Sequence, residues 1–170
     1  GATMPTDTPL EIAAKVGHAG SVLLLVSSLV QLTNVTVTDS QAAFGGGVAL
    51  LGPGNTIISR FTCTNSHAQL GGCMTDNFYV KLNESTIENC SATTDGGAIY
   101  VIRNTASLVL EGASIRNNRA GRFGGAVCLG NLTIQFNNVN TYHDVEIRKS
   151  NLSANSAGAA EAAAALAKQR

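Results

Sequence analysis

Four times in this chain a pair of glycines stands directly before a short apolar run: FGGGVAL (44–50), LGGCM (70–74), DGGAIYV (95–101) and FGGAVCL (123–129). Counted from the first glycine of each pair, Gly45, Gly71, Gly96 and Gly124 lie 26, 25 and 28 residues apart. Self-similarity at a fixed period of this size marks a repeat architecture, in which each unit buries its apolar face only by stacking on its neighbours. An eroded fifth copy is expected at Ser156-Ala157-Gly158.

Each unit has three beats. The one starting at Gly96 reads AIYVI, a polar corner RNTA, SLVLEG, ASIRNN and a second corner RAGRF. Its neighbours read VALL, TIISR, FTCTNS; then CM, NFYVKLN, STIENC; then AVCL, LTIQF, VEIRKSN; the N-terminal stretch fits as VLLLV, LVQLT, VTVTDS. Runs this short, rich in Val, Ile, Leu and Thr and bounded by Asn, Gly, Ser or Asp, read as strands. A helical stripe is not sustained over ten residues anywhere in them. Three strands per period of about 25 residues predict a coiling chain in which each strand pairs in parallel with its copy one turn later, ~4.8 Å away. The fold class is therefore all-β, a right-handed single-stranded parallel β-helix of about five three-strand turns.

The glycines fit that coil. The first of each pair sits where the backbone turns sharply and a positive φ is nearly free for glycine. The second, Gly46, Gly72, Gly97 or Gly125, lets successive turns stack where a side chain at every level would collide. Val48, Cys73, Ala98 and Ala126 follow at the tight inner angle. A phosphate-cradling loop would need a following helix and a Lys-Ser or Lys-Thr; a strand follows instead.

GGAI and GGAV, preceded by F/I-x-x-N-like segments (IRNN at 115–118, IENC at 87–90, FTCT at 61–64), resemble the repeats of chlamydial polymorphic outer membrane proteins. Similar repeats occur in large extracellular proteins of other bacteria and of algae. The resemblance spans residues 35–130, with a weaker continuation to 158. It implies a secreted or surface-displayed β-helix, with adhesion among the roles of such proteins. Only Ile115-x-x-Asn118 keeps the Asn of the second motif, and the sequence shows no autotransporter barrel, so outer-membrane attachment is not implied.

Open solenoid ends need covers. Residues 1–20 are expected to cap the first turn through a helix over 8–17, with Thr8 at its N-cap, Pro9 at N1, Glu11 at N3 and Gly17 at its end. The β-helix then runs over 21–156. The Ala-rich 157–170 segment predicts a helix that either caps the last turn or links to further chain. SVLLLVSSLV (21–30) is too short to span a bilayer and reads as folded structure rather than as a signal-peptide core. A chain opening on Gly1 fits a processed piece of a larger assembly.

Eleven basic and eleven acidic residues cancel, which leaves no polybasic surface for nucleic acid or anionic membrane. Cys63, Cys73, Cys90 and Cys128 contain no C-x-x-C. Cys63 and Cys90 lie about one turn apart, within disulfide reach, and are the favoured bridge, with buried free thiols as the alternative. A zinc site of Cys63, His67, Cys73 and Cys90 is the rival, weakened because structural zinc favours paired close ligands. Neither a metal nor a cofactor is expected. Five sequons, at Asn34, Asn83, Asn89, Asn131 and Asn151, point to an extracellular setting with possible N-glycosylation.

Enzymes on this fold need clustered carboxylates or an acid–base pair. Asp76, Asp95, Glu111 and Asp144 occur singly around the coil, Asp95 as a turn residue, and His18, His67 and His143 share no pattern. Glu88 and Arg116 are expected to stack as a surface ion pair. Thr36, Thr38, Thr62 and Thr64 begin a threonine ladder of the ice-binding kind, which Thr86 and Glu88, Ser114 and Arg116, then Glu146 and Arg148 are expected to break. The longest departure from the repeat is NNVNTYHD (137–144), where Asn140, Tyr142, His143 and Asp144 form a candidate binding loop. The sequence thus points to a non-enzymatic extracellular module presenting a rigid surface to other proteins or surface glycans, for adhesion or structural assembly. A carbohydrate-active lyase or hydrolase is the alternative, and an ice-binding solenoid the third.

Overall fold

The computed structural model describes residues 10–13, 17–19, 22–24, 29–50, 54–76, 78–102, 107–130 and 144–158. The chain winds through short strands, four to a turn. The first turn carries β1 (Leu10–Ala13), β2 (Gly17–Ala19), β3 (Val22–Leu24) and β4 (Val30–Thr33). The second carries β5 (Val35–Thr38), β6 (Gln41–Phe44), β7 (Val48–Leu50) and β8 (Asn55–Ser59); the third β9 (Thr62–Thr64), β10 (His67–Leu70), β11 (Met74–Asp76) and β12 (Tyr79–Asn83). The fourth carries β13 (Thr86–Glu88), β14 (Ser91–Asp95), β15 (Ile99–Val101) and β16 (Ser107–Glu111). The fifth has β17 (Ser114–Arg116), β18 (Arg119–Ala120), β19 (Val127–Leu129) and β20 (Asp144–Arg148), before β21 (Asn151–Ser153) and β22 (Ser156–Ala157) begin the next. Every strand pairs in parallel with its copy one turn on, giving four sheets, I to IV, that start at β1, β2, β3 and β4. The molecule is a parallel β-solenoid.

Four strands per turn replace the three expected. The additional sheet, II, comes from segments read as polar corners, such as RAGRF, whose Arg119–Ala120 pairs with Ser91 and Ala92. The register also corrects three local readings. Leu10–Ala13 and Gly17–Ala19 are strands rather than parts of a capping helix; Leu10 to Ala13 pair with Val35 to Thr38, so the hydrogen-bonding edge of β5 overrides the helix propensity of TPLEIAAKVG. Ser156–Ala157 aligns with Arg119–Ala120 and so precedes the glycine-pair position. Glu146 and Arg148 belong to sheet IV, opposite Val109 and Glu111; the residues that continue the threonine columns are Asn151 and Ser153. The Glu88–Arg116 pair forms across the stack at 3.2 Å, an exposed pair worth under about 1 kcal/mol. The segment 159–170 lies outside the described residues.

The core is a set of stacked columns. Sheet I contributes Val37, Cys63, Ile87 and Ile115; sheet III Val48, Met74, Ile99 and Val127; sheet IV Ile58, Leu82 and Leu110, all buried. Alternation in the strands of sheet IV puts one residue in two inside, as in the buried Val80 and Leu82 of β12. Each fully buried Leu or Ile contributes ~1.5–3 kcal/mol, and stacking like on like fills the lumen without large aromatics. Sheet II contributes Ala42, Ala68, Ala92 and Ala120, a column of methyl groups.

Candidate functional site

Among the described residues, three of the four corners use a left-handed residue. Between sheets IV and I it is Asn34, Arg60, Glu84, Gly112 or Lys149; between I and II, Asp39, Asn65, Asn89, Asn117 or Ala154; between II and III, Gly45, Gly71, Gly96 or Gly124. The first two columns are five residues apart in every turn (34 to 39, 60 to 65, 84 to 89, 112 to 117, 149 to 154). The fourth corner, from sheet III to sheet IV, is different. It spans four residues after β7 (51–54), two after β11 (77–78), five after β15 (102–106) and fourteen after β19 (130–143). Measured between left-handed residues, the stretch leading through sheet II to its corner with sheet III changes by one residue at most (39 to 45, 65 to 71, 89 to 96, 117 to 124), so among the described turns the larger variation falls on the edge between sheets III and IV.

That edge borders a narrow face. Sheet III strands are three residues long, about 10 Å. Ala49, Thr75, Tyr100 and Cys128 stack along them, the first three buried and Cys128 half-buried. The other edge is the glycine-pair corner, preceded in successive turns by Phe44, Leu70, Asp95 and Phe123. Phe44 and Phe123 are exposed.

Asp95 is more than a turn residue. Its carboxylate is buried and accepts hydrogen bonds from Arg122 Nε at 2.9 Å, from Arg122 through the other oxygen, and from the Phe123 amide at 3.2 Å. Hydrogen bonding to Asp95 raises the already high pKa of Arg122, fixing it as a cation. The guanidinium lies 5.1 Å from the Phe123 ring centre, a cation–aromatic pair on the surface. Nearby, burial and then the Asp95 charge push the Cys128 thiol up to about 11. Burial, followed by Cys128 and Asp95, raises Tyr100. At neutral pH Cys128 is a thiol and the buried Tyr100 a phenol, so this cluster presents the Arg122 cation and the exposed Phe123 ring rather than an activated nucleophile.

The other acids serve local structure. Asp76 Oδ1 accepts from the Phe78 amide at 2.9 Å, closing the two-residue corner. Glu111 pairs with Lys81 at 2.7 Å, and the hydrogen bond and charge of Lys81 hold its carboxyl below the usual range. Asp76, Asp95 and Glu111 end strands of three different sheets. Asp144 is the first residue of β20 rather than part of a loop tip, since its backbone pairs with Ser107; Asn140, Tyr142 and His143 lie outside the described residues. An open groove of about 430 Å³ at the corner between sheets IV and I includes Arg60, Lys81, Glu84, Glu111 and Lys149.

Of the sequons, Asn89 and Asn151 are exposed, Asn34 and Asn83 half-buried, and Asn131 outside the described residues. Asn34 accepts from Arg60 Nε, and Asn83 donates to Ser59 at 3.4 Å. Cys63 stacks on Ile87 rather than on Cys90, and the sulfurs of Cys63, Cys73 and Cys90 all lie within 4.8 Å of one another. His67 Nδ1 is 2.8 Å from Ser91 Oγ, and the group of three cysteines does not include it.

Sequence reasoning found the longest connection but missed that the connections of most variable length among the described strands all join sheet III to sheet IV. Aligning the units on their Asn- and Asp-rich left-handed positions, rather than on apolar beats, would have revealed it. Comparison with protein-family models, with curated proteins and with solved structures finds no match.

Proposed function

We propose that the protein is an extracellular β-solenoid whose rigid coil displays a row of loops beside its narrow face, binding surface glycans or another extracellular protein for adhesion or assembly. The observation that carries this reading is the contrast between corners. A spacing of five residues is kept in every turn on one side, while the corner from sheet III to sheet IV ranges from two to fourteen. Loops on a rigid scaffold are where binding residues concentrate. The opposite edge of the face supports the same reading, with exposed Phe44 and Phe123 and the Arg122 cation held against an aromatic ring, groups suited to sugars or protein surfaces. The sequons and the repeat resemblance support the extracellular setting. No helix among the described residues is long and apolar enough to cross a membrane.

The test is to shorten the longest corner. Two residues, Asn77 and Phe78, bridge the same corner in the third turn. Keeping Gly130, where a Cβ would meet the Tyr100 hydroxyl, and replacing 131–143 with a single Phe should therefore leave the melting temperature within a few degrees of wild type. Binding to intact cell surfaces or a glycan array should fall at least about tenfold, ~1.4 kcal/mol. Wild-type binding by the shortened protein would move the contact surface to the long sheets and overturn this reading.

A further inference from the structure

Cys63, Cys73 and Cys90 converge in the core with their sulfurs within 4.8 Å of one another, and all three residues are buried. Cys73 lies within disulfide reach of both neighbours, with Cα separations of 6.2 Å to Cys63 and 5.7 Å to Cys90. A sulfur makes one disulfide at a time, so these pairings are alternatives and each leaves one thiol. We propose that the three cysteines form an internal thiol–disulfide exchange centre, in which Cys73 passes its bridge between Cys63 and Cys90.

Both end positions are built to hold the released thiol. Cys90 Sγ lies 3.4 Å from the Glu88 carbonyl oxygen and 3.7 Å from that of Cys63; Cys63 Sγ lies 3.5 Å from Ser66 Oγ. A protonated sulfur at either end thus has an acceptor. The backbones are fixed by adjacent turns. Cys73 O accepts from Gly47 and Val48, Cys73 N donates to Ala98, and Cys90 N donates to Asn118 Oδ1. Exchange then needs side-chain rotation alone. Gly47 makes room for it: a Cβ there would stand 2.7 Å from Cys63 Sγ.

In the exchange the Cys90 thiolate attacks Cys73 Sγ. The Cys73–Cys90 bond forms, the Cys63–Cys73 bond breaks, and the electron pair leaves on Cys63, which takes up the proton Cys90 lost. The disulfide count is unchanged and no oxidant is consumed. The first bridge, made during folding, sends its two electrons to a small-molecule disulfide such as oxidised glutathione. A bridge plus a thiol is neutral, which suits this core better than three thiolates around a metal ion. Cys63 and Cys73 belong to one turn and Cys90 follows β13 of the next, so the exchange moves a cross-link from within a turn to between turns.

The test uses a Cys128→Ser background, unfolded in acid, alkylated, digested and mapped by mass spectrometry. One free thiol per chain is expected, distributed over Cys63 and Cys90, with both bridged peptides present and the minor one at roughly a tenth or less. At pH 8 without added thiol, the ratio of the two should shift reversibly between two temperatures while the thiol count stays constant. Cys63→Ser and Cys90→Ser should each retain the remaining bridge. A single linkage under all conditions, a dominant Cys63–Cys90 bridge, or three thiols with a stoichiometric metal by elemental analysis would each overturn the proposal.

Discussion

Gly97→Ala is expected to cost about 3 kcal/mol or more, a large part of the ~5–15 kcal/mol that holds a domain folded. A Cβ at Gly97 would stand 2.6 Å from the Arg119 carbonyl carbon and 2.7 Å from its nitrogen, and its nearest contact is the Gly125 carbonyl oxygen. All three are backbone atoms of the next turn, which also accepts the Gly97 amide hydrogen bond through Gly124 at 2.9 Å. The methyl group can be admitted only by separating two turns. The control is Gly112, which has φ +64° but nothing closer than 3.7 Å. Asn34 occupies the same corner three turns earlier at φ 56°. Gly112→Asn should change stability by less than about 1 kcal/mol. Thermal or denaturant unfolding of the two variants measures the contrast; equal effects would show that close stacking is not what the second glycine supplies.

Asn118→Ala should cost about 2–4 kcal/mol. The side chain is fully buried at a corner and ties three levels together. Its Oδ1 accepts from the Cys90 amide at 2.8 Å, and its Nδ2 donates to the Ile87 carbonyl at 3.2 Å and to Asn155 Oδ1 at 2.9 Å. Asn155 in turn donates to the Ile115 carbonyl at 2.9 Å, which repeats the Asn118–Ile87 bond one turn later. Alanine removes these partners without letting water replace them, stranding backbone groups of turns that must stay stacked. Chemical denaturation gives the difference directly. A loss under 1 kcal/mol would mean that water reaches this corner.

The parallel solenoid was legible because its signals are strictly local: glycine pairs where φ is positive or turns touch, and β-branched runs between polar corners. Sheet II was not legible. Its inward face is one alanine per turn, Ala42, Ala68, Ala92 or Ala120, and a single small residue makes no periodic pattern. The strands there are held by backbone pairing to neighbouring turns, which sequence does not display. The same pairing defeats the helix reading of the N-terminal segment, where caps and propensity are present but the β5 edge captures the backbone. Register explains the remaining misses. VEIRK pairs in sheet IV rather than sheet I, so Glu146 and Arg148 do not continue the threonine columns. Stacking Cys63 on Cys90 by counting residues missed that Ile87 occupies that level and that Cys73 reaches both from the next corner. Of the candidate site, the long loop was visible from its length, whereas the shared edge appears only once the turns are in register.

That register can be measured between spin labels on Thr36 and Asn151, in a Cys128→Ser background. These residues share the outer column of sheet I, stacked through Thr62, Thr86 and Ser114. Four steps of ~4.8 Å place them about 19 Å apart, although 115 residues separate them and the fourteen-residue corner intervenes. Pulsed electron–electron resonance should give one narrow distribution near 20 Å in the wild-type chain and in the version with 131–143 shortened. A broad distribution, or one centred beyond about 30 Å in either, would contradict a rigid coil that carries its variable loops on a single edge.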